Sequence, residues 1–167
     1  VGPTIADDLK KSSLYAGLFA LLAIFLYILI RFSKWQYSAG AIIALFHDAL
    51  IVLSVFSLAK GLLPFSLEID QAFIAAILTV IGYSINDTVI IFDRIREYFG
   101  LHINKSKDEV INDAINSTLS RTLMTSFTTV IVILILFLFG GSSIKGFSFA
   151  LLVGIVIGTY SSIFIAA

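Results

Sequence analysis

Asp87 is the residue whose type and setting could do chemistry. It lies in the stretch 71–93, which is otherwise mostly apolar. At about 1.5 Å of rise per residue, a helix entering at residue 70 would place Asp87 well inside a bilayer. A charge there costs about 2.5–3.5 kcal/mol on insertion scales. Asp87 must therefore be paired, hydrated or protonated, which makes it a candidate site of proton uptake and release.

Asp87 shares its predicted helix side with other polar residues, at about 100° per residue. The next predicted helix carries a second polar face. Two such faces on neighbouring antiparallel helices predict a hydrated path, in which Asp87 and Arg121 are the candidate proton-relay pair. The supporting polar stripe consists of Tyr83, Asn86, Thr125, Thr128 and Thr129.

Two interpretations of the Asp87–Arg121 pair remain open. Low polarity favours the protonated carboxyl and a nearby guanidinium favours the ionised form, so a carboxylate held between them can exchange protons. A static buried ion pair that fixes helix register is the alternative. By residue count Asp87 lies roughly two helical turns deeper than the Arg121 backbone. Direct contact then requires helix tilt, an inward-reaching Arg121 or a bridging water.

Two further patterns concern helix packing and a second polar pair. His47 and Asp48 lie in the middle of another apolar segment, where a proton relay and a structural hydrogen bond are both possible.

Near the chain end every fourth residue is small, which is typical of close helix packing. We predict packing positions at Gly82, Gly154 and Gly158, with a partner inside or outside this chain.

Composition limits the remaining function classes. Hydrophobic residues make up 59% of the 167 residues and charged residues 13%, whereas soluble domains carry about 25% charged residues. Net charge is zero, so nucleic-acid binding lacks an electrostatic basis. With no cysteine and two histidines, we expect no metal and no cofactor. Because no nucleotide-binding glycine loop or catalytic triad is recognisable, we predict that the chain is not an enzyme.

Five apolar segments are each long enough to cross a bilayer. Glycine and proline separate them at Gly61, Pro64 and Gly140-Gly141. The sequence therefore predicts an all-α membrane protein with a five-transmembrane-helix bundle. An amphipathic helix at about 106–119 begins with the capping-box pattern Ser106 to Glu109 and is expected to lie flat against the membrane or bundle end. The predicted spans are 14–30, 37–58, 70–93, 122–139 and 147–167.

Basic residues predict the orientation of these spans. The links 31–36 and 94–121 hold seven Lys and Arg residues, and the opposite side holds four. The side richer in Lys and Arg is expected to be cytoplasmic, which puts the chain start and Val1 outside. We interpret residues 1–11 as an external linker from a missing domain, and 12–167 as the transmembrane domain with its cytoplasmic amphipathic helix.

Several motifs together resemble the SecF branch of the SecD/SecF protein-export family. They are GYSINDTVIIFDRIRE at 82–97, SRT at 120–122 with TS at 125–126 and TT at 128–129, FGG at 139–141, GTYSSI at 158–163, and the opening VGP. The resemblance covers essentially the whole chain. It implies a membrane fold of the resistance-nodulation-division (RND) type, with six helices per unit, of which this chain supplies the last five.

The resemblance also implies a function. SecF, with SecD fused or separate, uses the proton-motive force in the bacterial inner membrane to help pull unfolded secretory proteins from the SecYEG translocon. Asp87 matches the family's proton-carrying aspartate, and Arg121 its essential arginine. A proton-coupled RND-type exporter of small molecules and a passive membrane scaffold are the alternatives. A carboxylate with hydroxyl neighbours suits protons and sodium ions alike.

Overall fold

A computed structural model describes residues 3–167 as five α-helices, with no strand in that range. Each helix is long and apolar enough to span a membrane, which confirms the predicted all-α class and the five spans. The helices are α1 Pro3–Phe32, α2 Trp35–Ala59, α3 Gln71–Leu101, α4 Lys107–Phe139 and α5 Ser142–Phe164.

Local structure at the helix ends includes one cap that the sequence analysis did not single out, at Asp70, and one that it predicted, at Ser106. Asp70 caps α3, its Oδ1 accepting a hydrogen bond from the Phe73 backbone N–H at 2.8 Å. The capping box of α4 is complete, because Ser106 and Glu109 bond each other's backbone N–H groups. Gly61 follows α2 with φ of 83°, a backbone conformation that glycine adopts without strain.

The helices extend beyond several of the predicted spans: α3 continues past residue 93 to Leu101, and α5 begins at Ser142 instead of residue 147. The amphipathic segment predicted at 106–119 is helical, but it continues into the fourth span as one helix, α4. No glycine or proline interrupts 107–139, so nothing breaks the backbone hydrogen bonds between the two parts. At 33 residues α4 is roughly 50 Å long, at about 1.5 Å per residue, and extends beyond a hydrocarbon core of about 30 Å.

The first helix also begins earlier than predicted. Of the predicted external linker, residues 1 and 2 lie outside the described residues, and residues 3–11 belong to α1. The apolar span within α1 begins at Lys11, close to the predicted boundary. Pro3 is the first residue of this helix, a position where its missing N–H has no intrahelical partner to lose.

A polar layer separates two apolar core clusters along the bundle. On α3 the first cluster contains Phe73, Ala76 and Val80, and the second contains Ile91, Phe92 and Ile95. Helices α2 and α5 pass through both clusters in the same way. Between them lie polar residues with buried side chains. This layer is Asp48, Ser84, Asp87, Thr88, Ser126, Thr159, Ser161 and Ser162.

Glycines of α5 bring α3 and α5 together at this layer. A Cβ atom at Gly154 would overlap the Val80 side chain, and one at Gly158 would lie 3.1 Å from Ser84 Cβ. The predicted close-packing face of α5 therefore has its partner inside this chain, on α3. Gly82 is a correction: a Cβ there would meet no atom of the described residues within 4 Å, so no helix of this part of the chain packs closely on it.

Charged residues collect at the end of the bundle where α1 meets α2. Arg31 pairs with Asp93 at 2.8 Å, and Arg96 donates to the Arg31 carbonyl at 3.1 Å. Arg94 pairs with Glu97 at 2.8 Å on the same stretch of α3. The 31–36 link and the last turns of α3 therefore lie at one end, as the number of predicted spans requires.

Candidate functional site

Asp87 lies in the buried polar layer, with only 2% of its surface exposed. Its Oδ2 is shielded from solvent and accepts no hydrogen bond from residues 3–167. Buried polar atoms without partners are rare in folded proteins, and leaving one unsatisfied costs about 1–3 kcal/mol. Asp87 is therefore held in a setting that its ionised form does not fully match.

Ser126 of α4 is the polar group that connects Asp87 to its neighbours. The Ser126 hydroxyl faces the Asp87 carboxylate as a hydrogen-bonding group. Thr159 Oγ1 of α5 lies 2.6 Å from Ser126 Oγ, and the Tyr83 hydroxyl of α3 lies 3.3 Å from it. Because a serine hydroxyl accepts two hydrogen bonds and donates one, Ser126 can accept from both neighbours and donate to Asp87.

Arg121 does not contact Asp87 directly. No ion pair joins them in the described part of the chain; Arg121 is exposed and lies within electrostatic range of the carboxylate. Its side chain lines a cavity of about 210 Å³ between α3 and α4, whose wall also includes Asp93, Arg94 and Glu97. The structure therefore places Arg121 beside the charged residues of this cavity, without the direct pairing to Asp87 that the ion-pair hypothesis requires.

The predicted polar stripe is divided among three environments. The Tyr83 hydroxyl contacts Ser126, the hydroxyl neighbour of Asp87, and it also lies 3.5 Å from Thr129 Oγ1. Thr125 and Thr128 are exposed on α4, where their hydroxyls bond carbonyls of their own helix at 2.9–3.1 Å. The stripe is therefore not one continuous lining.

Asn86 is the second correction to the predicted stripe. It is exposed and lines a groove of about 490 Å³ between α1 and α3, together with Ala23, Ile24 and Tyr27. One residue along an α-helix turns the side chain by about 100°, which carries Asn86 away from the face that presents Asp87 to α4 and α5. Asn86 therefore does not belong to the Asp87 site.

Sequence reasoning missed Ser126 and Thr159 near Asp87, and Thr122 one helical turn before Ser126 on α4. All three are buried, and Thr122 Oγ1 accepts or donates no hydrogen bond within residues 3–167. A signal was available on α4, because four buried residues at intervals of four are small or hydroxylated. They are Ala114, Thr118, Thr122 and Ser126.

Asp48 forms a second polar centre in the same layer. It is fully buried, and its Oδ2 accepts hydrogen bonds from Ser84 of α3 and Ser161 of α5, each at 2.7 Å. Its Oδ1 lies 3.2 Å from Nδ1 of His47. Of the two roles that the sequence left open for His47 and Asp48, the contacts of Asp48 favour an interhelix hydrogen-bond junction.

No group of three or more His, Cys, Asp or Glu residues with metal-binding geometry occurs among the described residues. Both carboxylates of the polar layer instead have hydroxyl neighbours. The arrangement can hold or release a proton at Asp87 and transmit a change in hydrogen-bond direction through hydroxyl groups.

Comparisons with known proteins agree over the whole chain. The family model described as "Protein export membrane protein SecD/SecF, C-terminal" matches residues 1–167. The chain is 63% identical to "Protein translocase subunit SecF" of Rhodothermus marinus over 167 residues, which is all of this chain and 54% of that protein. It is 51% identical over 172 residues to the protein of the same name from Desulfurispirillum indicum, covering 52% of it. The chain thus spans about half the length of these curated relatives.

Solved structures share the fold. The crystal structure of SecDF from Thermus thermophilus, described as a translocon-associated membrane protein, superposes with a TM-score of 0.90 at 43% identity. The match covers 99% of this chain and 22% of that one. A crystal structure of SecDF in a super-membrane-facing form gives a TM-score of 0.86 at 42% identity, over 99% of this chain and 21% of that one.

Proposed function

This chain belongs to the SecD/SecF family of protein-export membrane proteins, and from that premise we propose that it is the membrane part of an accessory subunit of Sec protein translocation. In this proposal, protons moving down their gradient bind and leave Asp87. The resulting change in helix contacts helps to draw unfolded secretory proteins across the cytoplasmic membrane. The chain acts as an energy transducer and performs no covalent catalysis.

The observation that carries the proposal is the incomplete hydrogen bonding of Asp87. The Asp87 carboxylate is only 2% exposed, and its Oδ2 is shielded and has no hydrogen-bond partner among the described residues. The surroundings therefore stabilise a permanent anion poorly. Neutralisation by a proton removes the charge from the apolar interior. A static structural carboxylate would be expected to have both oxygens satisfied.

A proton on Asp87 can reverse the hydrogen-bond order across three helices. With Asp87 ionised, Ser126 donates to the carboxylate and Thr159 donates to Ser126. With Asp87 protonated, its own hydroxyl can donate to Ser126, and Ser126 can donate to Thr159. Thr159 Oγ1 has a second acceptor for its hydrogen, the Ile155 carbonyl at 2.8 Å, so both arrangements keep every hydroxyl hydrogen bonded.

The membrane potential can supply the energy for this change. One charge moved through 100 mV is worth about 2.3 kcal/mol, which is a factor of about 50 in an equilibrium constant. Arg121 lines the cavity at the charged end, from which it stabilises the ionised carboxylate at a distance. In this proposal Arg121 favours proton release without forming a lasting ion pair.

We further propose that SecD covers the exposed face of α4. Arg121, Thr125 and Thr128 are exposed there, and a charged group facing lipid at this depth would be costly. Large apolar side chains are exposed on the same helix, including Met124 and Phe127. The two similar crystal structures are of SecDF, which supports SecD as the occupant.

The proposed location is the cytoplasmic (inner) membrane, with the charged end of the bundle in the cytoplasm and the chain start outside. The excess of Lys and Arg at the α1–α2 link and between α3 and α4 supports this orientation. SecYEG and unfolded secretory proteins are the proposed partners on the same grounds as the function.

Asp87→Asn in the full-length protein, co-assembled with SecD in vesicles, tests the proposal. Asparagine keeps the shape of aspartate and cannot take up a proton. We expect normal assembly and at least a tenfold loss of the stimulation of precursor export by a proton gradient. Asp113→Asn is the matched control, because Asp113 is a solvent-accessible aspartate on α4 that pairs with Lys105; it should retain full stimulation.

Two results would contradict the proposal. An Asp87→Asn protein that assembles and keeps full gradient-dependent export would indicate a passive scaffold. Normal export together with altered tolerance to small toxic molecules would indicate an exporter. Repeating the assay with a sodium gradient alone distinguishes the coupling ion.

A further inference from the structure

Asp48 is buried as completely as Asp87, but it lies on a different helix, α2. The residues described around Asp87, such as Ser126 and Thr159, come from the other helices. The two hydroxyl donors to Asp48 come from α3 and α5 and meet at a single atom, Oδ2, each at 2.7 Å. Two donors to one acceptor cannot move apart along the membrane normal without breaking a hydrogen bond. Asp48 therefore ties α3 and α5 to each other as well as to α2.

The two serines that donate to Asp48 are close in sequence to Asp87 and to its neighbour Thr159. Ser84 precedes Asp87 by three residues on α3, which is less than one helical turn. Ser161 follows Thr159 by two residues on α5. Any sliding of α3 against α5 at Asp48 would therefore change the position of Asp87 relative to the Thr159–Ser126 hydrogen bond of 2.6 Å.

Gly158 makes this junction possible. A Cβ atom at Gly158 would lie 3.1 Å from Ser84 Cβ and 3.6 Å from Asp48 Oδ2. The missing side chain lets the backbones of α3 and α5 approach, and it leaves room for the carboxylate between them. Residues of three helices, α2, α3 and α5, therefore form this junction together.

We infer that Asp48 is a positioning residue of the transport mechanism: its Oδ2 fixes α3 against α5, and so aligns Asp87 with Ser126 and Thr159. The inference rests on the proposed function of Asp87 and adds a requirement to it. The requirement is for an acceptor oxygen at Asp48, because every contact to its Oδ2 is a hydroxyl donor. It is not a requirement for a proton carrier at this position.

Two substitutions separate positioning from proton carrying. Asp48→Asn retains an oxygen that can accept from Ser84 and Ser161, whereas Asp48→Leu has a similar size and no acceptor. In full-length protein assembled with SecD, we expect Asp48→Asn to keep proton-driven export within about twofold of the unchanged protein. Asp48→Leu should lose at least tenfold. Ser54→Leu is the control, since Ser54 is exposed on α2 and bonds only the Leu50 carbonyl of its own helix.

A spectroscopic measurement reports positioning without relying on export. The infrared carbonyl stretch of protonated Asp87, identified by its absence in Asp87→Asn, depends on the hydrogen bonds of that group. We expect this band to shift in Asp48→Leu and to stay in place in Asp48→Asn. Ser161→Ala removes one of the two donors and should also shift it, which provides a milder variant if Asp48→Leu fails to assemble.

Two outcomes would overturn the inference about Asp48, and a third would overturn the proposed function of Asp87. Loss of export in Asp48→Asn with normal assembly would show that Asp48 needs its charge or its proton, and would overturn the inference. An unmoved Asp87 band in Asp48→Leu or Ser161→Ala would overturn it as well. If Asp87→Asn keeps full export, the proposed function fails, while the band measurement still decides whether Asp48 positions Asp87.

Discussion

The two buried aspartates of this bundle lie in the same polar layer, but their surroundings are opposite. Asp48 has two hydroxyl donors on one oxygen and an imidazole near the other. Asp87 has a shielded oxygen that no described residue bonds. Ser84, the donor to Asp48, is only three residues from Asp87. The contrast therefore arises within one turn of α3.

This difference shows that burial alone does not identify a proton-exchanging carboxylate. Asp48 is 0% exposed and Asp87 2%, so accessibility does not distinguish them. The hydrogen-bond inventory does, because Asp48 Oδ2 accepts two hydrogen bonds, whereas Asp87 Oδ2 accepts none from the described residues. This contrast supports a structural role for the more completely bonded residue and is consistent with the transport role proposed above for the other.

Replacing each aspartate by leucine should have opposite effects on stability, and this is the largest stability effect we expect. Asp48→Leu removes two interhelix hydrogen bonds, each worth up to about 1.7 kcal/mol in a membrane protein, and leaves buried hydroxyls less well bonded. We expect the free energy of unfolding to fall by about 2–4 kcal/mol. Asp87→Leu removes a buried charge and should leave it unchanged or raise it by about 1 kcal/mol.

Unfolding of the full-length proteins in mixed micelles titrated with dodecyl sulfate measures both values. The comparison fails if Asp87→Leu is destabilised as much as Asp48→Leu, since Asp87 would then also be a structural junction. Ser54→Leu again provides a control for introducing leucine on α2.

The packing around Asp48 gives the next smaller effect. A methyl group at Gly154 would overlap the branched side chain of Val80, which has little freedom to move. Gly154→Ala should lower the free energy of unfolding by about 1–2 kcal/mol, since overpacking outweighs the roughly 1 kcal/mol gained in helix propensity. Gly82→Ala is the matched control on α3, because nothing described lies within 4 Å of its added Cβ.

The same titration measures the glycine variants. Gly82→Ala is expected to be neutral or slightly stabilising. Equal destabilisation of Gly82→Ala and Gly154→Ala would mean that the seam between α3 and α5 is not specially close. The argument that Asp48 fixes a tight seam would then lose its structural basis.

Much of the fold followed from the sequence because lipid imposes simple rules. Apolar length predicted the five spans, and the Ser106–Glu109 capping box formed as expected. The separation of the amphipathic segment from the fourth span was not confirmed. Hydropathy changes at that point, whereas the backbone needs a breaker to end a helix, and residues 107–139 contain none.

The site was harder to predict because helical angle alone does not say which neighbour a face meets. Asp87 was identified from its cost in lipid, but its hydroxyl partners Ser126 and Thr159 depend on how α4 and α5 pack. Asn86 and Gly82 were grouped with Asp87 by helical angle and proximity, and both face the groove beside α1 instead. The role of Asp48 required two serines, Ser84 and Ser161, from different helices, which no spacing rule connects.

A third aspartate, Asp113, extends the comparison to the solvent and gives the smallest effect. Lys105 lies 2.7 Å from Asp113 at the charged end of the bundle. The hydrogen bond to Asp113, followed by the charge of that carboxylate, raises the pKa of Lys105 above its ordinary value. A raised lysine pKa contributes stability below the unfolded pKa and loses it as pH rises through the folded value.

Asp113→Asn should therefore lower the Lys105 pKa towards its ordinary value, as measured by nitrogen-15 NMR of the lysine ammonium groups. Because water screens this exposed pair, the free energy of unfolding at neutral pH should not change measurably, and a clear loss would mean that the contrast between buried and exposed aspartates is weaker than their surroundings indicate.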